Sequence, residues 1–189
     1  WHLVNFAAPY LSDEFVDQDF AFYGKILSGK QENQERWKRV LNATNQAMGE
    51  AVGKIYVKEH FPPEAKSRML TLVSNLKLAL AERIENLDWM ENDTKKQAII
   101  KLETMNTKIG YPDKWIDYSS LEVEEDSYFE NVLRGRAFSF KRSIDKMNKP
   151  VDRDEWFMYP QTVNAYYNPG LNEIVFPAAI LQYPFFNMQ

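Results

Sequence analysis

Residues Val163 to Phe186 read Val-Asn-Ala-Tyr-Tyr-Asn-Pro-Gly-Leu-Asn-Glu-Ile-Val-Phe-Pro-Ala-Ala-Ile-Leu-Gln-Tyr-Pro-Phe-Phe. Two short runs, Val163–Tyr167 and Ile174–Phe176, flank the turn formers Asn168-Pro169-Gly170-Leu171-Asn172. Proline presets φ for a turn, and glycine accepts φ > 0. β-branched and aromatic residues on both sides predict two paired strands, a hairpin over about residues 162–176. Pro177 has no N–H to add to a ladder, so the second strand should stop there. The segment that follows is apolar through Phe186. Burying one side chain such as Ile180, Leu181, Phe185 or Phe186 contributes roughly 1.5–3 kcal/mol. These four need a partner. Either they fold back on upstream helices or the partner lies beyond Gln189. The second is expected, and the chain reads as cut from a longer protein.

Upstream the pattern is helical. Residues 1 to about 110 read as helices. Trp1–Leu11 is apolar enough for a short buried segment. Ser12 suits an N-cap, with Asp13 and Glu14 in the first turn, where carboxylates meet the positive helix end. Gly29 is a stop. The clearest periodicity runs from about Gln34 to Glu59, through Trp37, Val40, Leu41, Thr44, Ala47, Met48, Ala51, Val52, Ile55 and Tyr56. Pro63 opens a third helix with Met69, Leu72, Val73, Leu76 and Leu80 on its stripe. Asn92 or Asp93 caps a fourth, expected to end near Gly110-Tyr111-Pro112. Lys114–Glu125 is a polar crossing segment. Asp126 or Ser127 then caps a helix through Phe140. Long helices with short links imply a helical bundle. The fold class is thus mainly α with a small β-hairpin.

Composition narrows the function. The 189 residues carry a net charge of −4, which disfavours non-specific nucleic-acid binding. No apolar run approaches the roughly 20 residues of a membrane span. Cysteine is absent, which removes disulfides and thiolate metal sites. The two histidines, His2 and His60, lie far apart and outside any His-Glu-x-x-His spacing. His60 reads more simply as a helix end. The acidic groups Asp13, Glu14, Asp17, Asp19 and Glu122, Glu124, Glu125, Asp126 lack calcium-loop spacing and read as solvated charge. Arg134, Arg136, Lys141, Arg142, Lys146 and Lys149 read as a solvated helix, with no glycine-rich phosphate loop beside them. There is no nucleophile elbow and no Cys/His pair, so the chain's own residues hold no complete catalytic site. Asn164 remains, with amide donors and an acceptor beside a strand edge. Such an edge can take a peptide as a further strand, or the segment can be an ordinary hairpin.

Asn164-Ala165-Tyr166-Tyr167, the run Asn172-Glu173-Ile174-Val175-Phe176-Pro177-Ala178-Ala179-Ile180-Leu181-Gln182, and Pro184-Phe185-Phe186 resemble the neprilysin family of zinc metalloendopeptidases. Trp1-His2-Leu3, Ala7–Leu11, Lys108–Asp113 and Asp154-Glu155-Trp156 agree more loosely, so the resemblance covers most of the chain. It implies a helical capping domain portion, residues 1–111, and the opening part of a thermolysin-like α+β catalytic domain, residues 112–189. It implies that Asn164 binds the substrate backbone, that Ala165 pairs with the peptide main chain, and that Ile180 and Phe185 wall an apolar S1′ pocket. The parent is then a zinc-dependent endopeptidase cleaving oligopeptides on the amino side of hydrophobic residues. Its zinc, held in the family by a His-Glu-x-x-His helix and a later glutamate, would be bound outside this chain, which alone would be inactive. The partners implied are oligopeptide substrates and the remainder of the catalytic domain. Ala178-Ala179 replaces the family's usual Ala-Gly step. The lack of cysteine departs from the disulfide-rich animal members of that family, so the resemblance implies a bacterial origin, with an extracytoplasmic location expected over a cytoplasmic one. The competing reading is a non-catalytic helical module that binds peptides or a protein by its hairpin edge.

Overall fold

A computed structural model describes residues 1–125 and 127–187. Among them, six α-helices run in chain order: α1 (His2–Ala7), α2 (Asp13–Asp19), α3 (Arg36–His60), α4 (Pro63–Glu85), α5 (Asn92–Glu103) and α6 (Tyr128–Ile144). Three strands, β1 (Asn106–Gly110), β2 (Tyr166–Asn168) and β3 (Glu173–Pro177), form one sheet in the order β1-β3-β2.

Local chemistry sets most boundaries. Ser12 precedes α2, and Asp13 and Glu14 fill its first turn. Ser127 caps α6 by accepting the Glu130 N–H at 3.2 Å. Asp126, the other candidate cap, lies outside the described residues. Pro63 opens α4, where its missing N–H costs nothing. A π-helical run, Phe20–Ile26, continues α2, and Gly29 at φ 66° ends it. The long periodic stretch of α3 is interrupted at Met48, whose φ −143° and ψ 42° are not helical.

Packing divides the chain into two compact units, Trp1–Gly49 with Asp117–Val151, and Glu50–Ile116 with Asp152–Gln189. Each unit draws on two stretches of sequence. In the first unit, Phe6, Tyr10, Tyr128 and Phe129 form an aromatic cluster with centroids 5.7–6.2 Å apart. The Arg136 guanidinium sits 3.8 Å from the Phe6 ring centroid. Gly135 of α6 lets the backbone approach α3; a Cβ there would lie 2.7 Å from the Ala47 Cβ.

In the second unit Phe61, Ala65, Met69, Val73, Ile109, Ala178 and Leu181 are the buried cluster. Alternate β1 and β3 residues point to opposite faces. Ile109 and Phe176 turn toward α4, and Lys108, Glu173 and Val175 occupy the other face. The strands β1 and β3 are parallel, Asn106 to Gly110 against Glu173 to Pro177. The strands β2 and β3 are antiparallel, with Tyr166 opposite Val175 and Asn168 opposite Glu173.

Three expectations need correction. The fourth helix ends at Glu103, and Asn106–Gly110 is a strand rather than a helix end. Its pairing partner lies more than sixty residues later, beyond the reach of local pattern. The expected hairpin is therefore two strands of a three-stranded sheet. Finally, the opening segment is helical but largely exposed: Trp1 is 87% accessible, and Ala7 and Ala8 are the buried positions. A helix of fewer than two turns buries one narrow face, and Phe6 takes the aromatic contact.

Candidate functional site

Glycine and asparagine close the turn between β2 and β3. Gly170 N–H donates to Asn168 Oδ1 at 3.0 Å, and Asn172 sits at φ 48°. The Asn172 side-chain amide donates to Lys101 O at 2.8 Å and Thr104 Oγ1 at 3.1 Å, satisfying the end of α5. The hairpin is thereby tied to the helix that precedes β1. The strand order puts β2 at a sheet edge, with β3 on one side. Asn164 and Ala165 lie just before β2 rather than within it. Asn164 is exposed and Ala165 half-buried. Asn164 Oδ1 accepts the Ala165 N–H at 2.8 Å, and the Asn164 N–H donates to Thr162 O at 3.0 Å.

Behind this edge is a buried polar network that sequence reasoning missed. Lys108 Nζ lies 2.6 Å from Glu173 Oε2 and donates to Glu155 O at 2.7 Å. Glu173 is fully buried. Tyr166 Oη lies 3.4 Å from Glu173 Oε1 and accepts the Phe157 N–H at 3.1 Å. The Phe157 and Tyr166 rings meet edge to face at 6.2 Å. Burial raises the Tyr166 hydroxyl pKa above its ordinary value; the Phe157 N–H opposes that shift and the Glu173 charge adds to it. A sequence signal existed. By strand alternation Glu173 shares a face with Val175 and Pro177, and a charge in so apolar a strand demands a counter-charge.

Ile180 and Phe185 line one open apolar groove of about 510 Å³, together with Leu72, Leu76, Ile174 and Phe176. Its floor is α4 and its wall is the segment after β3. Ile180 is half-buried and Phe185 is 74% exposed, while Leu181 between them belongs to the core. The apolar tail therefore folds back in part. Gln182 secures it by donating to His60 O at 3.0 Å. Asn164 and Ala165 are not among the residues lining this groove.

The described residues contain no group of three or more His, Cys, Asp or Glu able to hold a metal. His60 ends α3, its ring 4.9 Å from Tyr56. Glu124 is bound to α6, accepting from Arg134 at 3.1 Å while its main chain meets Asn131. These residues do not fit a zinc site.

The sequence pattern of peptidase family M13 matches residues 1–112 and again residues 164–189. The endothelin-converting enzyme homolog of Locusta migratoria is 36% identical over 197 aligned residues, which take in all of this chain and 27% of that protein. The Mycobacterium tuberculosis zinc metalloprotease Zmp1, solved in complex with an inhibitor, is 53% identical with a TM-score of 0.90, covering 100% of this chain and 28% of that one. PepO from Lactobacillus rhamnosis HN001 is 30% identical with a TM-score of 0.88, over 98% of this chain and 30% of its own. The chain belongs to peptidase family M13. It spans 27–30% of the length of these relatives.

Proposed function

We propose that this chain forms the substrate edge and part of the S1′ wall of a zinc-dependent endopeptidase that cleaves oligopeptides before large hydrophobic residues. The observation that carries the reading is β2 at a sheet edge, with Asn164 and Ala165 leading into it and an apolar groove under Ile180 and Phe185 in the same unit. An extended peptide gains main-chain pairing along such an edge, and a side-chain amide fixes its register. Residues 1–111 then serve as a portion of the capping domain and residues 112–189 as the opening of the catalytic domain. Zinc ligands come from outside this chain, which is inactive by itself. Identity of 53% with a mycobacterial enzyme supports a bacterial origin, and an extracytoplasmic location goes with that reading.

The test is cleavage of a mixed peptide set by the full-length protein, with the cut sites mapped. The reading expects cuts on the amino side of Phe, Leu and Ile, lost on chelation and restored by zinc. Cuts without that preference, or full activity after chelation, would refute it. A second reading, a non-catalytic peptide-binding module, draws on the burial of Leu181 and the folding back of the tail. It expects the isolated chain to be a monomer that ignores hydrophobic dyes. The endopeptidase reading expects Phe185 and the groove to bind them.

A further inference from the structure

We propose that Tyr166 is a positioning residue for the peptide edge, held by the buried Lys108–Glu173 pair acting as its anchor; this rests on the substrate-edge reading above. The strand β2 has three residues and a single neighbour, too little to fix an edge by its own ladder. Tyr166 is opposite Val175, and Glu173 lies two residues along β3 on the same face. Lys108 is also opposite Val175, from the other side, so Tyr166 and Lys108 approach Glu173 from its two flanks. Each carboxylate oxygen has one of them: Oε2 takes Lys108 at 2.6 Å and Oε1 faces Tyr166 at 3.4 Å. Phe157 N–H donates to Tyr166 Oη, which leaves the tyrosine's own proton for the carboxylate. Lys108 in turn holds Glu155 O, two residues before Phe157. The residue immediately before Tyr166 is Ala165, and before that Asn164. A tyrosine pinned at both ring and hydroxyl therefore fixes the backbone on which the two substrate-contacting residues ride.

The test compares variants of the zinc-loaded full-length protein, with kcat and KM measured for a peptide carrying phenylalanine after the scissile bond, well below the melting temperature. Tyr166→Phe deletes one oxygen. Lys108→Met with Glu173→Leu removes the anchor without leaving an unpaired charge. Lys108→Met with Glu173→Gln restores a carbonyl acceptor for Tyr166. The expectation is a KM raised roughly three- to tenfold in the first two, on the scale of one lost hydrogen bond, with kcat little changed. The Gln pair should recover most of that loss. A purely structural role would lower melting temperature and leave KM alone. Equal KM in the Leu and Gln pairs overturns the anchor. Asn164→Ala, measured alongside, separates the two levels. If it weakens the kinetics while Tyr166→Phe and the Leu pair do not, the positioning role falls and the substrate edge stands. If Asn164→Ala also does nothing, the edge reading falls and the positioning role with it.

Discussion

Lys108 Nζ sits 2.6 Å from Glu173 Oε2, with the two side chains 7% and 0% exposed. They join β1 to the neighbouring strand β3 across the face opposite the apolar core. A charge this deep is tolerated because its partner and the Glu155 carbonyl satisfy it. Replacing Lys108 alone with Met strands a buried carboxylate, so denaturant unfolding should show a loss of about 3–5 kcal/mol. The double replacement with Glu173→Leu should recover most of it. A single-variant loss below about 1 kcal/mol would mean that water reaches the pair.

Gly110 is held at φ 77°, and a Cβ on it would lie 2.4 Å from the Phe61 ring. Gly110→Ala therefore combines left-handed strain with overpacking, each costing roughly 1–3 kcal/mol. Thermal unfolding should fall by several degrees. Wild-type stability in Gly110→Ala would contradict the placement of Phe61 against the end of β1.

Leu181 and Phe185 are four residues apart and should behave oppositely. Leu181 is core, so Leu181→Ala should cost about 2–5 kcal/mol of stability. Phe185 is 74% exposed, and Phe185→Ala should change stability by no more than about 0.5 kcal/mol. In peptide cleavage the ranking reverses: Phe185→Ala should raise KM for substrates with phenylalanine after the cut. Equal stability losses would show that Phe185 is packed in solution.

Burial raises the pKa of Tyr166, and of Tyr56 and Tyr128, above the ordinary tyrosine value. Folding favours the neutral phenol at these sites. Their contribution is fully present below about pH 10, the unfolded value, and is lost as pH rises through the higher folded value. Phenolate absorbance should show a late phase, above the ordinary tyrosine value, that holds these three. Tyr166→Phe should remove one late-titrating group. A late phase of unchanged amplitude in Tyr166→Phe would contradict the buried hydroxyl.

The sequence and structure agree where local chemistry suffices. Periodicity located α4, Ser127 capped α6, Pro177 ended β3, and Asn168–Asn172 made the turn. Gly53 sits in close packing, since a Cβ there would lie 2.7 Å from Pro160 Cδ. What escaped depends on distant partners. Asn106–Gly110 becomes a strand because β3 lies beside it, and Lys108 is buried because Glu173 awaits it sixty-five positions later. Glu50 is likewise buried beside a distant partner, its carboxylate accepting the Ile116 N–H at 2.7 Å. At the candidate site, the proposed roles of Asn164, Ala165, Ile180 and Phe185 come from the family resemblance, and two of them, Ile180 and Phe185, line one groove. The Tyr166–Glu173 support behind Asn164 and Ala165 was not legible, since it combines three strands.

Asn164→Ala in the full-length protein is the most direct measurement. If Asn164 holds the peptide backbone, kcat/KM for an oligopeptide should drop by about 1–3 kcal/mol, roughly 5- to 150-fold, with the melting temperature unchanged because the side chain is exposed. Wild-type kcat/KM in a folded, zinc-loaded Asn164→Ala protein would remove this edge from the substrate site.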